Sequence, residues 1–525
     1  MGSVRELPEA IDLSHHLNTK SKSRHPSPLK EIIKYMGVDG MISLAGGLPH
    51  PSLFPLQSVN VACLAPSAAI SSDGSANKSS EDIIKLSLGR NDSPGDLDLT
   101  PFLQYGSGAG NAQLLTLARE LTDRVHSPLY QYDCLLHPGN TNAWAKVVDL
   151  LCEKDDYIFV EEFTYPSAQA FWIPLGIRAV PIGADAEGMS AELLEKVLEG
   201  WETSHTNSRR PRVLYLVSVG SNPTGLSISA QRRKEIYDVC VKYDIIIAED
   251  DPYYFLQYPH YQPSEDAVVP QESEAFSASE FLSSLTPSFL SLDYQGRVIR
   301  LESFSKTLFP GLRLGYFIAN PVFTERLLRA TEVETQDPAG LSQALVIALL
   351  RRWGIDGYLR WMQSLRFQYQ TRRDWLVGSI AKNFTLVEAG KSPIPTAQGL
   401  VACLKGESGE LKPIFSFVDP TAGMFLWTKF YFSGVKRFGE VAATETSDPE
   451  QAFADELWAA WAKQSVLLTP GSYYHPWQGP DMVTSKARGA EPQTAHFRLS
   501  FATPTKVQLE QGVDRLLAVV QKYWA

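Results

Sequence analysis

The chain has 525 residues, 44% of them hydrophobic, and a formal net charge of −11. This length exceeds what one hydrophobic core usually supports, so we expect two or more domains. The negative charge disfavours a nucleic-acid partner and an anionic membrane, because both attract concentrated basic surfaces. No secretory signal and no apolar run of membrane-spanning length is evident, and the five cysteines are dispersed without CxxC spacing. We therefore expect a cytoplasmic protein with reduced thiols.

The first hundred residues differ in composition from the rest of the chain. Residues 1–40 are polar and interrupted by prolines, and residues 65–98 are rich in Ser, Ala, Gly and Asp. Such stretches carry too little apolar surface to drive compact packing. We predict that residues 1–100 form an N-terminal arm with a flexible insertion.

Beyond residue 100, short apolar runs alternate with helical stretches. Leu114, Leu117 and Leu121 lie on one face of a predicted helix. The runs that follow have the length and composition of strands buried on both faces: YIFVEE, VLYLVSV, DIIIAED, VIRLESF and GYFIAN. The pattern predicts an α/β domain with a mainly parallel sheet over residues 101–345 and a smaller α+β domain over residues 346–525.

Three of these apolar runs end in polar residues. They continue into SNPTG (221–225), DDPYY (250–254) and SFSKTLFPGLRLGY (303–316). Each segment alone could be an ordinary loop, but the ends of parallel strands form the usual ligand crevice. Together the segments offer an amide, an acid with a phenol, a lysine, hydroxyls and an arginine. This set suits pyridoxal phosphate, since a lysine binds its aldehyde, an acid its pyridine nitrogen and an arginine its phosphate.

Further motifs run in order along the chain: SLAGGLP (43–49), LQYGSGAGNAQL (103–114), PGNTNAW (138–144), EEFTYPS (161–167), AGMFLW (422–427) and FRLSF (497–501). With the three strand-end segments, they make the chain resemble the fold-type I pyridoxal-phosphate aminotransferases. Within that group, the chain is similar to the aromatic amino acid and kynurenine/2-aminoadipate aminotransferases of fungal type.

The resemblance implies catalytic roles for several residues. Lys306 would form the Schiff base with the cofactor aldehyde and then move the α-proton of the substrate. Asp250 would pair with the pyridine nitrogen, and strand alternation puts its two acidic neighbours on the opposite face. Tyr253 and Asn222 would hydrogen-bond the ring oxygen, and Tyr165 would stack on the ring.

The resemblance also implies how the phosphate is held. The residues expected around it include the turn at 139–141 that leads into the predicted helix NAWAKVVDLL, whose N-terminus can also receive a phosphate: Asn140, Thr141, Ser303, Ser305 and Arg313. Tyr105 resembles a tyrosine that reaches the phosphate of the neighbouring subunit, which implies a homodimer.

Substrate binding is expected to involve a second cation. Arg498 lies on the polar face of a predicted strand and would bind the α-carboxylate. The resemblance also assigns Gly47 and Asn222 to substrate binding. Lys30 stands where related enzymes carry an arginine for a distal carboxylate, and lysine lacks the planar fork of arginine. Efficient handling of 2-aminoadipate is therefore not expected.

The sequence thus predicts transamination of aromatic L-amino acids with a 2-oxo acid such as 2-oxoglutarate or phenylpyruvate. Three alternatives share the cofactor residues: a 2-aminoadipate or kynurenine aminotransferase, a β-lyase, and a transcription regulator with this domain. A regulator would need a basic DNA-binding module before SLAGGLP, but only about 40 residues precede that motif and the chain is acidic. No metal ion is expected.

Overall fold

The structure is a computed structural model that describes residues 7–28, 32, 35, 38–68, 82–90, 97–205, 208–263, 276–444 and 446–524. In chain order its strands are β1 Ser58–Leu64, β2 Ile83–Gly89, β3 Leu97–Asp98, β4 Asp133–His137, β5 Tyr157–Glu161, β6 Arg178–Ile182, β7 Ala184–Asp185, β8 Gly188–Met189, β9 Val213–Leu216, β10 Ile246–Asp250, β11 Val298–Ser303, β12 Gly315–Ala319, β13 Thr385–Glu388, β14 Leu400–Lys405, β15 Leu411–Phe417, β16 Phe425–Tyr431, β17 Thr469–Pro470 and β18 Thr494–Ser500.

The α-helices are Thr19–Lys22, Ala112–His126, Asn140–Leu151, Pro166–Trp172, Ala191–Glu199, Trp201–Ser204, Ala230–Lys242, Ala278–Ser283, Phe289–Leu292, Pro321–Glu334, Gly340–Asn383, Lys436–Ala442, Pro449–Lys463 and Lys506–Tyr523. The longest of them is interrupted at Gly354, where the backbone adopts a φ of 68° and leaves the helical region. Within the described ranges, no helix combines the length and apolar composition that a membrane crossing requires.

A seven-stranded sheet of order β4-β12-β11-β10-β9-β5-β6 forms the larger part of the fold. Its strands are parallel except β12, which runs antiparallel to both β11 and β4. Every residue of β9, β10, β11 and β12 is buried. Burial along whole strands is typical of a sheet that is covered on both faces. The prediction of an α/β fold with a mainly parallel sheet is confirmed.

A second, six-stranded sheet lies in the C-terminal part of the chain. Its order is β13-β14-β15-β16-β18-β17, and all its neighbouring strands are antiparallel. It has its own apolar core, to which Phe430, Trp461 and Phe497 contribute. The larger core includes Tyr358 and Met362, which lie beyond residue 345. The division of the chain at 345/346 remains a prediction.

The stretch that the sequence analysis interprets as a flexible insertion contains a strand. Within residues 65–98, β2 pairs antiparallel with β1 and parallel with β3. Leu86 and Leu88 alternate along β2 and are buried in the larger core. The polar composition of the surrounding residues masked this short period-two pattern, so the prediction of a flexible insertion is corrected for these residues.

Two glycines bring the two sheets into close contact. Gly220 has a φ of 54°, and a Cβ there would lie 2.7 Å from the backbone nitrogen of Gly423 and 2.8 Å from the carbonyl carbon of Ala422. Gly423 has a φ of 73°, and its Cβ would lie 2.8 Å from the carbonyl oxygen of Gly220. A larger residue at either position would push the backbones apart, so this contact sets how close β16 comes to the 221–225 turn.

We expect Gly220→Ala to lower the melting temperature by a few degrees. The methyl group would overlap backbone atoms, and the positive φ adds strain of about 1 kcal/mol or more. Gly439→Ala is the control, because Gly439 lies in a helix and nothing is within 4 Å of its Cβ position. The melting temperatures of the wild type and of both variants, measured by circular dichroism during heating, check this expectation. A Gly220→Ala protein as stable as Gly439→Ala would contradict the expectation.

Candidate active site

A cavity of about 250 Å³ lies at the carboxyl ends of β9, β10 and β11. This is the position where open α/β sheets bind ligands. Ten residues that the sequence analysis selected line it: Asn140, Thr141, Tyr165, Asn222, Asp250, Tyr253, Ser303, Ser305, Lys306 and Arg313. Segments far apart in the chain therefore meet in one cavity.

Asp250 is a buried acid with a hydrogen bond to each carboxylate oxygen. Its Oδ1 accepts from Nδ2 of Asn140 at 2.7 Å, and its Oδ2 accepts from the hydroxyl of Tyr215 at 2.8 Å. Burial raises the pKa of Asp250 above its usual value, and these two hydrogen bonds offset part of that rise. Sequence reasoning missed Tyr215, because a tyrosine within the apolar run VLYLVSV is typical of a core residue. Asn140 was predicted near the phosphate, but its side chain donates to Asp250 and to the carbonyl of Leu301.

The two acidic neighbours of Asp250 lie on the other face of β10, as strand alternation predicts. Arg300 contacts both of them, with Nη1 at 2.7 Å from Glu249 and 3.3 Å from Asp251. The hydroxyl of Ser218 lies 2.8 Å from a carboxylate oxygen of Glu249 and 3.0 Å from one of Asp251, so its single proton can be donated to either. Asp250 is thus the acid of β10 that faces the cavity.

Lys306 is the amine of the cavity. It follows β11 and is half-buried. Burial lowers the pKa of Lys306, and the charge of Arg313 lowers it further. Among the described residues, no hydrogen bond or ion pair to its ammonium group is present. A lowered pKa makes the neutral, nucleophilic amine easier to reach.

Beside Lys306 lies a group of residues suited to an anion, which we call the anion cradle: Gly139, the first turn of helix Asn140–Leu151, Ser303, Ser305 and Arg313. Gly139 has a φ of 101° and precedes the helix, and a Cβ there would overlap Nη2 of Arg313. Nη1 of Arg313 donates to Oγ of Ser305 at 3.3 Å. A helix N-terminus facing a guanidinium and hydroxyl groups is well suited to bind phosphate.

Arg498 lies in β18, and its side chain points toward the turn at residues 221–225, which carries Asn222. Its Nη1 donates to Oδ1 of Asn222 at 2.7 Å, and its Nη2 donates to Oγ1 of Thr469 at 3.3 Å. The guanidinium lies over the rings of Phe425 at 4.2 Å and Tyr474 at 5.3 Å. Because its orientation is set from several sides, Arg498 is suited to bind a carboxylate. Sequence reasoning missed the two aromatic supports, which come from separate segments.

A buried carboxylate holds the turn that carries Asn222. Oε2 of Glu161 accepts from the backbone nitrogen of Val217 at 3.1 Å and from Oγ of Ser221 at 2.9 Å. Burial raises the pKa of Glu161 to about 7. The sequence analysis used the motif EEFTYPS only for Tyr165 and gave Glu161 no role.

Of the other predicted site residues, Arg498 adjoins the cavity through its hydrogen bond to Asn222 without lining it, and two more do not line it. Tyr105 is 65% exposed and Gly47 is also exposed, and neither lines the cavity of the single chain. Lys30 lies outside the described residues. The roles assigned to these residues, like those assigned to the residues that line the cavity, remain predictions.

Fold and site together are those of an aminotransferase. A model of the family "Aminotransferase class I and II" matches residues 96–516, and the chain belongs to this family. The crystal structure of the aminotransferase Aro8 from Candida albicans superposes with a TM-score of 0.83 at 34% sequence identity, covering 98% of this chain and 99% of that one. The predicted fold-type I architecture is confirmed.

Two curated relatives have more specific names. An aromatic amino acid aminotransferase of Schizosaccharomyces pombe is 38% identical over 421 residues, which covers 79% of this chain and 81% of that protein. An L-tyrosine:2-oxoglutarate aminotransferase of Tapinella panuoides is 36% identical over 465 residues, which covers 88% of this chain and 81% of that protein.

The raised pKa of Glu161 predicts a pH-dependent stability. Its contribution is fully present below the ordinary carboxyl pKa of 4.5 and is lost as the pH rises through about 7. Between about pH 5 and pH 8, the wild-type protein should therefore lose roughly 2 kcal/mol more of its unfolding free energy than Glu161→Gln. Chemical denaturation at both pH values measures this, with the exposed Glu199→Gln as control. Parallel pH dependence in wild type and Glu161→Gln would refute the raised pKa.

Proposed function

We propose that this aminotransferase uses pyridoxal 5′-phosphate to transaminate aromatic L-amino acids with a 2-oxo acid such as 2-oxoglutarate or phenylpyruvate. The observation that carries the proposal is the position of the half-buried Lys306 in one cavity with Asp250 and the anion cradle. An amine, a buried acid and an anion site are what the aldehyde, the pyridine nitrogen and the phosphate of this cofactor require.

The residues of the cavity fit this cofactor. The glycine at 139 lets the guanidinium of Arg313 lie directly against the helix N-terminus, because a side chain there would overlap Arg313. Asp250 is buried and keeps free lone pairs beside its two hydrogen bonds, so it can accept from a protonated ring nitrogen. When bound, pyridoxal phosphate supplies an electron sink for the charge left as the α-proton departs.

Each residue then has a defined task. The amine of Lys306 removes the proton from the α-carbon of the amino acid, and its lowered pKa favours this base form. Asp250 in its ionised form holds a proton on the ring nitrogen. Burial raises the pKa of Tyr253, so its phenol stays protonated and donates a hydrogen bond to the ring oxygen, beside Asn222. Arg498 binds the α-carboxylate and orients the α-carbon toward Lys306.

Two observations support an aromatic substrate. The curated relatives above are named for aromatic amino acids and for L-tyrosine. The walls near Arg498 are themselves aromatic, since Phe425 and Tyr474 lie beside its guanidinium. Aromatic rings favour an apolar side chain of the substrate over one that ends in a charge.

A homodimer in the cytoplasm is part of the proposal. Large apolar side chains of residues 41–53 are exposed in the single chain, with Ile42 at 85%, Leu44 at 96% and Leu53 at 77%. Tyr105 and Gly47 are exposed as well. A second copy that covers these residues would remove apolar surface from water and bring Tyr105 to the partner's phosphate.

A panel of amino donors tests the function. With 2-oxoglutarate as acceptor, we expect Phe, Tyr and Trp to give kcat/KM values at least about tenfold above those of 2-aminoadipate and kynurenine.

Lys306→Ala should lower turnover by about 10³-fold or more, because the base that moves the α-proton is gone. The rate at which glutamate forms from 2-oxoglutarate measures both the donor preference and the turnover of Lys306→Ala. Full turnover by Lys306→Ala would refute the mechanism, and a preference for 2-aminoadipate would refute the substrate class.

Arg498→Lys should affect substrate binding more than turnover. Lysine cannot bind a carboxylate with two parallel hydrogen bonds, so KM for the amino acid should rise about 10- to 100-fold with a smaller change in kcat. Arg437→Lys, which changes an exposed arginine paired with Glu456, is the control. Steady-state kinetics with the best donor measures both constants. An unchanged KM would show that the α-carboxylate binds elsewhere.

A further inference from the structure

The anion cradle stands at the end of a two-stranded ladder. His137, the last residue of β4, pairs directly with Gly315, the first residue of β12. Gly139 follows His137 by two residues, and Arg313 precedes Gly315 by two residues. The guanidinium of Arg313 lies against Gly139. The His137–Gly315 pair is therefore the last regular contact before the two strands diverge to form the cradle.

His137 forms a hydrogen bond with the segment that leads from β4 into helix Asn140–Leu151. The residue is fully buried, and its Nδ1 accepts a hydrogen bond from the backbone nitrogen of Gly139 at 3.1 Å. This bond needs a lone pair on Nδ1, so the proton of the neutral ring is on Nε2. The bond fixes the peptide that leads into helix Asn140–Leu151.

The ring of His137 also packs against β12. A Cβ at Gly315 would lie only 2.5 Å from Cε1 of His137, so the ring fills the space above this glycine. The ring of Phe317 meets it edge-on, with the ring centroids 4.6 Å apart. His137 thus contacts both strands that lead into the cradle.

Protonation does not disturb this contact at ordinary pH. Burial and, to a smaller extent, the positive charges of Lys146 and Arg313 together lower the pKa of His137 to about 3. The ring is therefore neutral in the working range of an enzyme, and Nδ1 remains an acceptor.

We propose that His137 is a positioning residue for the phosphate of pyridoxal phosphate. It holds Gly139 and the segment that runs from Arg313 into β12 at a fixed separation, and this separation sets the width of the anion cradle. His137 does not line the cavity itself. The inference rests on the proposed function, because it takes the anion to be the phosphate of that cofactor.

The test compares two ligands that differ only in the phosphate. Apoenzyme is titrated with pyridoxal phosphate and, separately, with pyridoxal, and binding is followed by visible absorbance. His137→Leu removes the acceptor and keeps apolar volume. We expect its Kd for pyridoxal phosphate to rise about tenfold, the value of one buried hydrogen bond, and its Kd for pyridoxal to stay unchanged.

A matched pair of polar variants separates the hydrogen bond from a general loss of packing. In His137→Asn, the side-chain oxygen lies close to the former position of Nδ1, so affinity for pyridoxal phosphate should stay near that of the wild type. In His137→Gln, the amide lies one methylene farther out and should bind like His137→Leu. This pair decides the question even when the leucine variant does not fold. Phe317→Leu, which changes the packing but keeps the acceptor, is expected to bind like the wild type.

If His137→Asn, His137→Gln and His137→Leu bound pyridoxal phosphate with equal affinity, the positioning role would be overturned. An equal loss for pyridoxal and pyridoxal phosphate would overturn it too, since the effect would then not act through the phosphate. A wild-type apoenzyme that does not bind pyridoxal phosphate would refute the proposed function itself, a result that is distinct from either of these.

Discussion

The proposed chemistry depends on an acid, Asp250, that is buried at the end of β10 and must still ionise. Burial alone would favour the neutral form of Asp250, and the two hydrogen bonds from Asn140 and Tyr215 oppose this. The positive charge of Arg300, on the far face of the sheet, acts in the same direction. A solvent-exposed acid would need no such support, but it would pair only weakly with the nitrogen of a bound ring.

The buried ion pairs beneath Asp250 restrain the sheet at this point. Glu249, Asp251 and Glu302 are all buried, and Arg300 contacts each of them. Removing one partner of such a buried set leaves an uncompensated charge, which costs several kcal/mol. The ends of β10 and β11 are therefore tied together directly below Asp250 and the segment that carries Lys306. Rigid strand ends suit a reaction that needs an amine, an acid and an anion site in fixed relation.

Much of the site was predictable because its residues form contiguous motifs at strand ends. Lys306 and Asp250 come at the ends of apolar runs, Arg313 precedes the next one, and alternation along β10 selected Asp250 from three consecutive acids. The supporting residues were not predictable in this way. Tyr215 and His137 lie within apolar runs and are indistinguishable there from core residues, and Glu161 differs from its neighbour Glu162 only in its burial. Strand β2 was missed because its period-two pattern is short and the flanking residues are polar.

The sequence by itself determined the class of fold and the polar residues that meet in the cavity, because these follow from local periodicity and from side chains adjacent in the chain. Only the tertiary structure decided which groups tune their chemistry. Asn140 and Tyr215 reach Asp250, Asn222 reaches Arg498, and His137 joins two arms of one cradle. Each of these contacts, apart from the bond of His137 to its own turn, joins residues distant in the chain. No local pattern encodes them, since they depend on how the strands are ordered in the sheet and how closely the two sheets pack.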